Sequence, residues 1–175
     1  MENYKIILDH DTIARRVKEL GDEITRDYQG KEPVVICMLK GAVYFFADLT
    51  KNIKLPIMID FARLSSYRSG TTSGQMELIY DITAKIEGRD VILVEDIVDS
   101  GKTLKYFREL LKKRNPTSVK VCAFIDKKER REVDIEADYV GFDIPCGFVI
   151  GYGMDYAEKY REFPFLAEVI DADKL

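Results

Sequence analysis

Short apolar runs alternate with helix-like segments along this chain, and that alternation constrains the fold more than any other feature. Residues 34–39, 91–94 and 118–125 are apolar with few interruptions, which is typical of strands buried on both faces of a sheet. Segments 11–30 and 103–115 carry apolar residues at spacings of three and four, the pattern of helices with one buried face. The sequence therefore predicts an α/β fold with a central, mostly parallel, twisted sheet flanked by helices. In such folds ligands bind beyond the carboxyl ends of the strands.

Length and composition favour a single globular domain. The chain has 175 residues, of which 46% are hydrophobic and 33% charged, and we expect one domain over residues 1–175. No apolar run approaches the roughly 20 residues that span a bilayer, and the first residues lack a basic region followed by an apolar core. We therefore expect a cytoplasmic protein with no membrane partner.

Charge and the scarcity of histidine exclude several classes of function. His10 is the single histidine, so a histidine-based triad or zinc cluster cannot form, and a metal would be held by oxygen ligands. The net charge of −4 argues against nucleic-acid binding. Cys37 and Cys122 lie in apolar runs and, with Cys146, make an odd number of thiols, which favours free cysteines over disulfides.

The stretch VILVEDIVDSGKT, residues 91–103, joins a strand to acidic residues and to a sequence like the end of a phosphate loop. A nucleotide-hydrolase P-loop requires glycine five positions before Gly101, and Asp96 stands there, so that interpretation fails. Backbone N–H groups from about Asp99 to Thr103, at the start of the next helix, can instead hold a phosphate monoester. The stretch therefore predicts a phosphate site of another kind.

The strand predicted at 91–94 is followed by an acidic loop that begins with two adjacent carboxylates. Glu95 and Asp96 can accept hydrogen bonds from a vicinal diol such as that of ribose, directly or through Mg²⁺, but they would repel a bare phosphate. The stretch therefore predicts a ligand with a phosphate at one end and a ribose diol at the other, which describes a phosphorylated pentose. The alternative is a solvated strand-to-helix loop in which Asp99 or Ser100 only caps the helix.

Residues 91–104, VILVEDIVDSGKTL, resemble the phosphoribosyl pyrophosphate motif of type I phosphoribosyltransferases. From about Ile6 to about Ile170 the chain is similar to the purine-salvage branch of that family, the hypoxanthine-guanine phosphoribosyltransferases. The motifs LKGA, SSYRSGTTSG, DKKERR, DYVGFDIP and FVIGYGMDYAEKYR carry this likeness in order and in spacing. The resemblance implies the type I phosphoribosyltransferase fold, with a core at roughly 30–145 and a small hood formed by the terminal segments.

The resemblance also implies an enzyme, a pentosyltransferase. It would transfer the 5-phosphoribosyl group from phosphoribosyl pyrophosphate to hypoxanthine or guanine, giving IMP or GMP and pyrophosphate, with Mg²⁺ as cofactor. Relatives are dimers or tetramers, so a homodimer or homotetramer is expected. Two alternatives stay open: a transferase that prefers xanthine, and a regulatory protein of the same fold that senses phosphoribosyl pyrophosphate.

By this resemblance the acidic motif binds the sugar phosphate and supplies the catalytic group. Glu95 and Asp96 would bind the ribose hydroxyls. Asp99 would act as the general base or acid beside an imidazole nitrogen of the purine, a role typically worth about 10²–10⁴ in rate. The 5-phosphate loop would comprise Asp99, Ser100, Gly101, Lys102 and Thr103. Mg²⁺ would be held by Glu95, Asp96 and Asp155.

Other motifs would serve the leaving pyrophosphate, again by resemblance. The residues that bind it would be Leu39, Lys40, Gly41 and Arg161. Ser66 and Tyr67 would belong to a lid that closes near the leaving group. Closure would exclude water, which would otherwise capture the cationic transition state.

The purine site implied by the resemblance comprises Lys127, Phe148, Val149 and Asp155. Phe148 would stack on the purine, and the backbone near Val149 would hydrogen-bond its edge. Lys127 would donate to the exocyclic oxygen, which selects a 6-oxopurine over adenine with its amino group. Cys146 and Gly147 depart from the residues common in the family, so the ranking of guanine, hypoxanthine and xanthine stays open.

Overall fold

The structure is a computed structural model that describes residues 3–66, 76–145 and 147–170. Within these ranges nine strands, three helices and one short 3₁₀ turn follow one another along the chain. They are β1 (Tyr4–Leu8), α1 (His10–Asp27), β2 (Val34–Met38), α2 (Val43–Asn52), β3 (Met58–Ser66), β4 (Met76–Tyr80), β5 (Asp90–Val98), α3 (Lys102–Lys112), β6 (Ser118–Asp126), the 3₁₀ turn (Lys128–Arg130), β7 (Tyr139–Asp143), β8 (Val149–Ile150) and β9 (Leu166–Val169).

Six of the described strands form one sheet in the order β4-β3-β2-β5-β6-β7. They are parallel except at one edge, where β4 runs antiparallel to β3. Strand β2 lies between β3 and β5, and all of its residues are buried. Burial on both faces accounts for the continuous apolar runs in the sequence.

Helices cover both faces of this sheet. Alternate side chains of β2 belong to the two layers: Val35 and Cys37 pack with α1 and α2, whereas Val34 and Ile36 lie on the side of α3. The helices contribute Ile13, Val17, Leu20, Ile24, Phe45 and Leu49 to the first layer and Leu104, Phe107 and Leu111 to the second. The predicted α/β fold, with a mostly parallel sheet flanked by helices, is confirmed.

Strands from both ends of the chain form a second, antiparallel sheet in the order β1-β9-β8. In this sheet Tyr4 pairs with Val169, and Val149 pairs with Glu168. It corresponds to the hood that the family resemblance implied. Because β8 begins at Val149, the hood carries part of the predicted purine site.

Strand β5 extends further than the sequence pattern predicted. We expected a strand at 91–94 followed by an acidic loop, but the pairing with β6 continues through Val98, and Glu95 pairs with Ala123. The prediction that Glu95 and Asp96 belong to a loop is therefore wrong. Backbone hydrogen bonds to the neighbouring parallel strand β6 extend β5 here. The pattern of apolar side chains in the sequence does not indicate such backbone pairing.

Helix α1 begins at His10, one residue before the predicted segment. The carboxylate of Asp9 caps it by accepting a hydrogen bond from the backbone N–H of Thr12 at 2.8 Å. None of the helices in the described ranges is both long and apolar enough to cross a membrane.

Two cysteines lie in the core as free thiols. Cys37 in β2 and Cys122 in β6 are buried and form no disulfide, as predicted, whereas Cys146 lies outside the described residues. Burial raises the pKa of the Cys37 thiol to about 12 and raises the pKa of Cys122 as well. Both thiols are therefore protonated and unreactive near neutral pH.

Candidate active site

The ends of β5 and β6 meet the start of β8 at a cleft of about 410 Å³. Residues predicted from the sequence that line it are Asp96, Asp99, Lys127, Phe148, Val149 and Asp155. Another cleft, of about 170 Å³, is lined in part by Glu95, Asp99, Ser100, Gly101 and Thr103. Asp99 lines both clefts, so it lies between the predicted sugar-phosphate region and the predicted purine region.

Glu95 and Asp96 place two carboxylates side by side near the end of β5. Burial, and then the negative charge of Asp96, raise the pKa of Glu95 well above its usual value. The Oε2 atom of Glu95 is buried, and no described residue hydrogen-bonds to it. A ligand hydroxyl or a cation would stabilise such an unpartnered oxygen.

The loop after β2 packs directly against these carboxylates. The peptide bond between Leu39 and Lys40 is cis. A Cβ on Gly41 would lie 1.6 Å from Oδ2 of Asp96, and a Cβ on Gly153 would lie 1.9 Å from the carbonyl oxygen of Gly41. Only glycine permits contacts this close. The loop after β2, the end of β5 and the segment after β8 therefore pack directly against one another at this point.

A series of ion pairs joins this loop to the segment after β8. The Nζ atom of Lys40 lies 2.6 Å from Oε2 of Glu158, and the guanidinium group of Arg161 lies 3.2 Å from Oε1 of Glu158. Arg161 also lies 2.8 Å from Oδ1 of Asp155 and donates a hydrogen bond to the carbonyl of Gly153 at 2.7 Å. Hydrogen bonding to Lys40 lowers the pKa of Glu158. The structure thus brings together Lys40 and Arg161, the two cationic residues predicted to bind pyrophosphate. Glu158 lies between them, and the sequence analysis assigned it no role.

The loop before α3 presents backbone N–H groups at the start of that helix. Gly101 has φ of +81° and, lacking a side chain, cannot cap the helix itself. The N–H of Lys102 makes only a long contact, of 3.5 Å, with Oγ of Ser100. The amides of the first turn are therefore open to an anion, which the positive end of the helix dipole also favours. The ammonium group of Lys102 pairs with Glu132 at the protein surface.

Two arginines to which the sequence analysis assigned no role lie against Asp99. Nε of Arg130 lies 3.2 Å from Oδ1 of Asp99, and Nε of Arg131 donates to the carbonyl of Asp99 at 3.1 Å. Arg131 also pairs with the buried carboxylate of Asp126 and donates to the carbonyl of Ile135. Both arginines belong to the DKKERR motif. Its position directly after β6, at the ligand-binding edge of the sheet, is the signal that could have identified them.

The other side of the larger cleft combines an ammonium group with an aromatic face. Lys127 is buried, and its Nζ donates a hydrogen bond to the carbonyl of Gly147 at 2.7 Å. Phe148 is 52% exposed and meets the ring of Tyr156 edge-on, with ring centroids 5.9 Å apart. Val149 is buried in β8. Such a lining suits a planar ring that carries a carbonyl group on its edge.

Most of the predicted lid lies outside the described residues. Tyr67 and the following residues up to 75 lie outside the described residues. Ser66 is the last residue of β3, and its side chain lies outside the described part of the structure.

A family model described as "Phosphoribosyl transferase domain" matches residues 3–157 of the chain. The chain belongs to the phosphoribosyltransferase family. One curated phosphoribosyltransferase similar to it is the hypoxanthine-guanine phosphoribosyltransferase of Streptococcus thermophilus. The two are 49% identical over 163 residues, which cover 93% of this chain and 91% of that protein.

Solved phosphoribosyltransferase structures have the same fold. The hypoxanthine-guanine phosphoribosyltransferase of Bacillus anthracis, solved with a HEPES molecule in its active site, is 46% identical with a TM-score of 0.92. The match covers 96% of this chain and 99% of that one. A hypoxanthine phosphoribosyltransferase of Staphylococcus aureus gives a TM-score of 0.90 at 43% identity, covering 94% and 90% of the two chains. The family resemblance seen in the sequence is confirmed.

Magnesium is the cofactor that the phosphoribosyltransferase family implies. Among the described residues no three histidine, cysteine, aspartate or glutamate side chains are grouped closely enough to hold an ion by themselves. Mg²⁺ commonly binds through one or two carboxylates and takes its remaining ligands from water and substrate phosphates. The unpartnered oxygen of Glu95, beside the carboxylate of Asp96, fits an ion that is held in this way.

Proposed function

We propose that this chain transfers the 5-phosphoribosyl group from phosphoribosyl pyrophosphate to hypoxanthine and guanine, and so acts as an enzyme of purine salvage. The observation that carries the proposal is the position of Asp99 between two clefts, one lined by the phosphate loop and the other by Lys127 and Phe148. Such an arrangement suits a bond formed between a sugar phosphate and a planar base. The names of relatives from Streptococcus thermophilus and Streptococcus agalactiae support the same substrates.

The phosphoribosyl group would lie along the end of β5. Amides of residues 99–103 would hold its 5-phosphate. Glu95 and Asp96 would accept hydrogen bonds from the ribose hydroxyls. The pyrophosphate end would contact Leu39, Lys40, Gly41 and Arg161.

Glu95 and Asp96 on the ribose side, and Asp155 on the pyrophosphate side, would hold Mg²⁺ chiefly through oxygens of the substrate and water, since the three carboxylates do not form one cluster. When bound, the ion neutralises charge on the departing pyrophosphate. Lys40 and Arg161 would add positive charge at the same group. Charge stabilisation of this kind is worth most where it is already in place before the bond breaks.

The reaction exchanges one bond at the anomeric carbon of ribose for another. The bond to the pyrophosphate oxygen breaks and its electron pair leaves with pyrophosphate, while an imidazole nitrogen of the purine forms the new bond. Asp99 would accept the proton that this nitrogen loses. Arg130, with its Nε 3.2 Å from Oδ1, would place a positive charge beside this carboxylate without a hydrogen bond to Oδ1.

Base selection would depend on Lys127. Its ammonium group would donate to the exocyclic oxygen of a 6-oxopurine, whereas adenine would present an amino group and leave two donors facing each other. Phe148 would stack on the ring, and the backbone near Val149 would bind its edge. Ser66 and Tyr67 would belong to the lid that keeps water from the reacting carbon.

We further propose that the enzyme works in the cytoplasm on these small molecules, with no nucleic-acid or membrane partner. It would form a single domain over residues 1–175 and assemble as a homodimer or homotetramer. Size-exclusion chromatography with light scattering measures the assembly directly.

An absorbance assay with phosphoribosyl pyrophosphate and Mg²⁺ tests the reaction against hypoxanthine, guanine, xanthine and adenine in turn. We expect nucleotide from hypoxanthine and guanine, little from adenine, and none when Mg²⁺ is left out. Absence of product with all four bases would overturn the proposal of an enzyme. Xanthine as the best substrate would replace the proposed bases, and adenine as the best substrate would contradict the role of Lys127.

A further inference from the structure

Glu158 contacts both cations that the proposed function assigns to pyrophosphate. Its Oε2 lies 2.6 Å from Nζ of Lys40, and its Oε1 lies 3.2 Å from the guanidinium group of Arg161. Both carboxylate oxygens are therefore engaged, one with each cation. The side chain spans the two positive groups as an anionic ligand would.

The surroundings of these three groups allow an exchange of partners. The side chains of Glu158 and Lys40 are 65% and 47% exposed, and an ion pair so open to water contributes little. Arg161 is 20% exposed and has further partners in Asp155 and in the carbonyl of Gly153. Departure of Glu158 would leave Arg161 in place. It would release Lys40, which forms no other ion pair within the described part of the chain.

The backbone at Glu158 is held independently of its carboxylate. Its N–H donates to Oδ2 of Asp155 at 2.9 Å, and the flanking residues Tyr156 and Lys159 pair with each other across a tight turn. The side chain can therefore rotate into solvent without unfolding the turn.

We propose that Glu158 is an internal counter-ion of the pyrophosphate subsite. It holds Lys40 and Arg161 together in the free protein and is displaced when pyrophosphate, or the pyrophosphate end of the substrate, binds. The inference rests on the proposed function, which assigns these two cations to pyrophosphate. A carboxylate that stayed between the cations would repel the incoming group, which itself carries several negative charges. Glu158 therefore weakens the binding of pyrophosphate at this subsite.

Titration calorimetry of the full chain with pyrophosphate in the presence of Mg²⁺ measures this effect. Glu158→Gln keeps the shape of the side chain and removes its charge. We expect it to bind pyrophosphate about two- to ten-fold more tightly than the wild-type protein, a range set by the loss of two weak ion pairs. The KM for phosphoribosyl pyrophosphate should fall by a similar factor, whereas the KM for hypoxanthine should not change.

Two further variants sharpen the test. Glu162→Gln is the matched control, because Glu162 is exposed, follows Arg161 directly, and forms no ion pair with any described residue. Its pyrophosphate affinity should equal that of the wild-type protein. Glu158→Gly removes the carboxylate in a way that suits the φ of +65° at this position, and it should also bind pyrophosphate more tightly.

The possible results separate the inference from the proposed function. Unchanged pyrophosphate affinity in Glu158→Gln, or in Glu158→Gly if the glutamine variant does not fold, would overturn the inference. Weaker binding would also overturn it, since the carboxylate would then be orienting the cations for the ligand. A wild-type protein that binds neither pyrophosphate nor phosphoribosyl pyrophosphate would instead contradict the proposed function and remove the basis of the inference with it.

Discussion

The carboxylate of Asp96 lies against the α-carbon of Gly41 so closely that a Cβ there would be 1.6 Å from Oδ2 and 2.5 Å from Cγ. Strands β2 and β5 are neighbours and run parallel, so their carboxyl ends bring the two residues to the same edge of the sheet. The proposed pyrophosphate loop and the proposed ribose-binding strand therefore set each other's position through one direct contact.

Gly41→Ala should disturb substrate binding through that contact. The added methyl group would push the Asp96 carboxylate aside, and overpacking of this kind lowers the free energy of unfolding by about 1–3 kcal/mol. We expect the KM for phosphoribosyl pyrophosphate to rise at least about tenfold, a difference of about 1.4 kcal/mol in binding. Steady-state kinetics and urea unfolding measure the two effects.

Gly88→Asn is the control for this substitution. Gly88 has a φ of +69°, which asparagine tolerates, and a Cβ there would meet nothing within 4 Å. Wild-type KM values in both variants would show that the Gly41 contact does not position the site.

Asp99→Asn should reduce turnover far more than substrate affinity. The amide cannot accept the proton lost by the purine, so kcat should fall by about 10²–10⁴. Titration calorimetry should give nearly the wild-type affinity for phosphoribosyl pyrophosphate. Equal losses of kcat and of affinity would mean that Asp99 only organises the loop.

Arg131→Met should destabilise the fold. It would leave the carboxylate of Asp126, which is 2% exposed, buried without its partner. Removing one member of a buried pair lowers the free energy of unfolding by about 3–5 kcal/mol. The matched variant Arg130→Met removes an arginine that is 65% exposed and should cost less than about 1 kcal/mol. Similar unfolding curves for the two variants in urea would contradict this account.

Lys127→Met should weaken discrimination between bases. Hydrogen bonds to a charged group contribute about 1.5–3 kcal/mol, so the ratio of kcat/KM for hypoxanthine to that for adenine should fall about 10- to 100-fold. The adjacent Lys128 is 68% exposed, and Lys128→Met is the control that should keep the wild-type ratio. An unchanged ratio in Lys127→Met would place base selection elsewhere in the cleft.

Cys37 and Cys122 should resist alkylation in the folded protein. Burial raises the pKa of Cys37 to about 12 and raises that of Cys122, so neither thiol ionises appreciably at about pH 8. Treatment with iodoacetamide followed by peptide mass spectrometry should show both residues unmodified in buffer and modified in denaturant. Rapid labelling in buffer would mean that the strands carrying them open readily.

Local patterns predicted much of the fold because the elements concerned are regular. The apolar run at 34–39 indicated β2, whose two faces are both covered, and the apolar spacing in 103–115 indicated α3 with one buried face. The same patterns missed the end of β5. There Glu95 and Asp96 continue the strand, because pairing with β6 outweighs the polarity of their side chains.

The sequence predicted the candidate site best where its residues are consecutive. Asp99 to Thr103 carry a loop, a helix start and a carboxylate in one short segment, and the structure lines one cleft with that loop. Arg130 and Arg131 were not assigned, since a basic pair in sequence is usually a solvated surface, and only the fold brings both against Asp99.

Local patterns in the sequence were enough to predict an alternation of strands and helices, the family, and the segment that carries the acidic motif. Periodicity and consecutive motifs depend on neighbours along the chain, which a sequence displays directly. The folded chain was needed to show that Gly41 meets Asp96 and that Glu158 joins Lys40, 118 positions away, to Arg161. Such contacts form because the parallel strands and the hood place loops that are distant in sequence at the same edge of the sheet. No pattern of neighbouring residues in the sequence indicates these contacts.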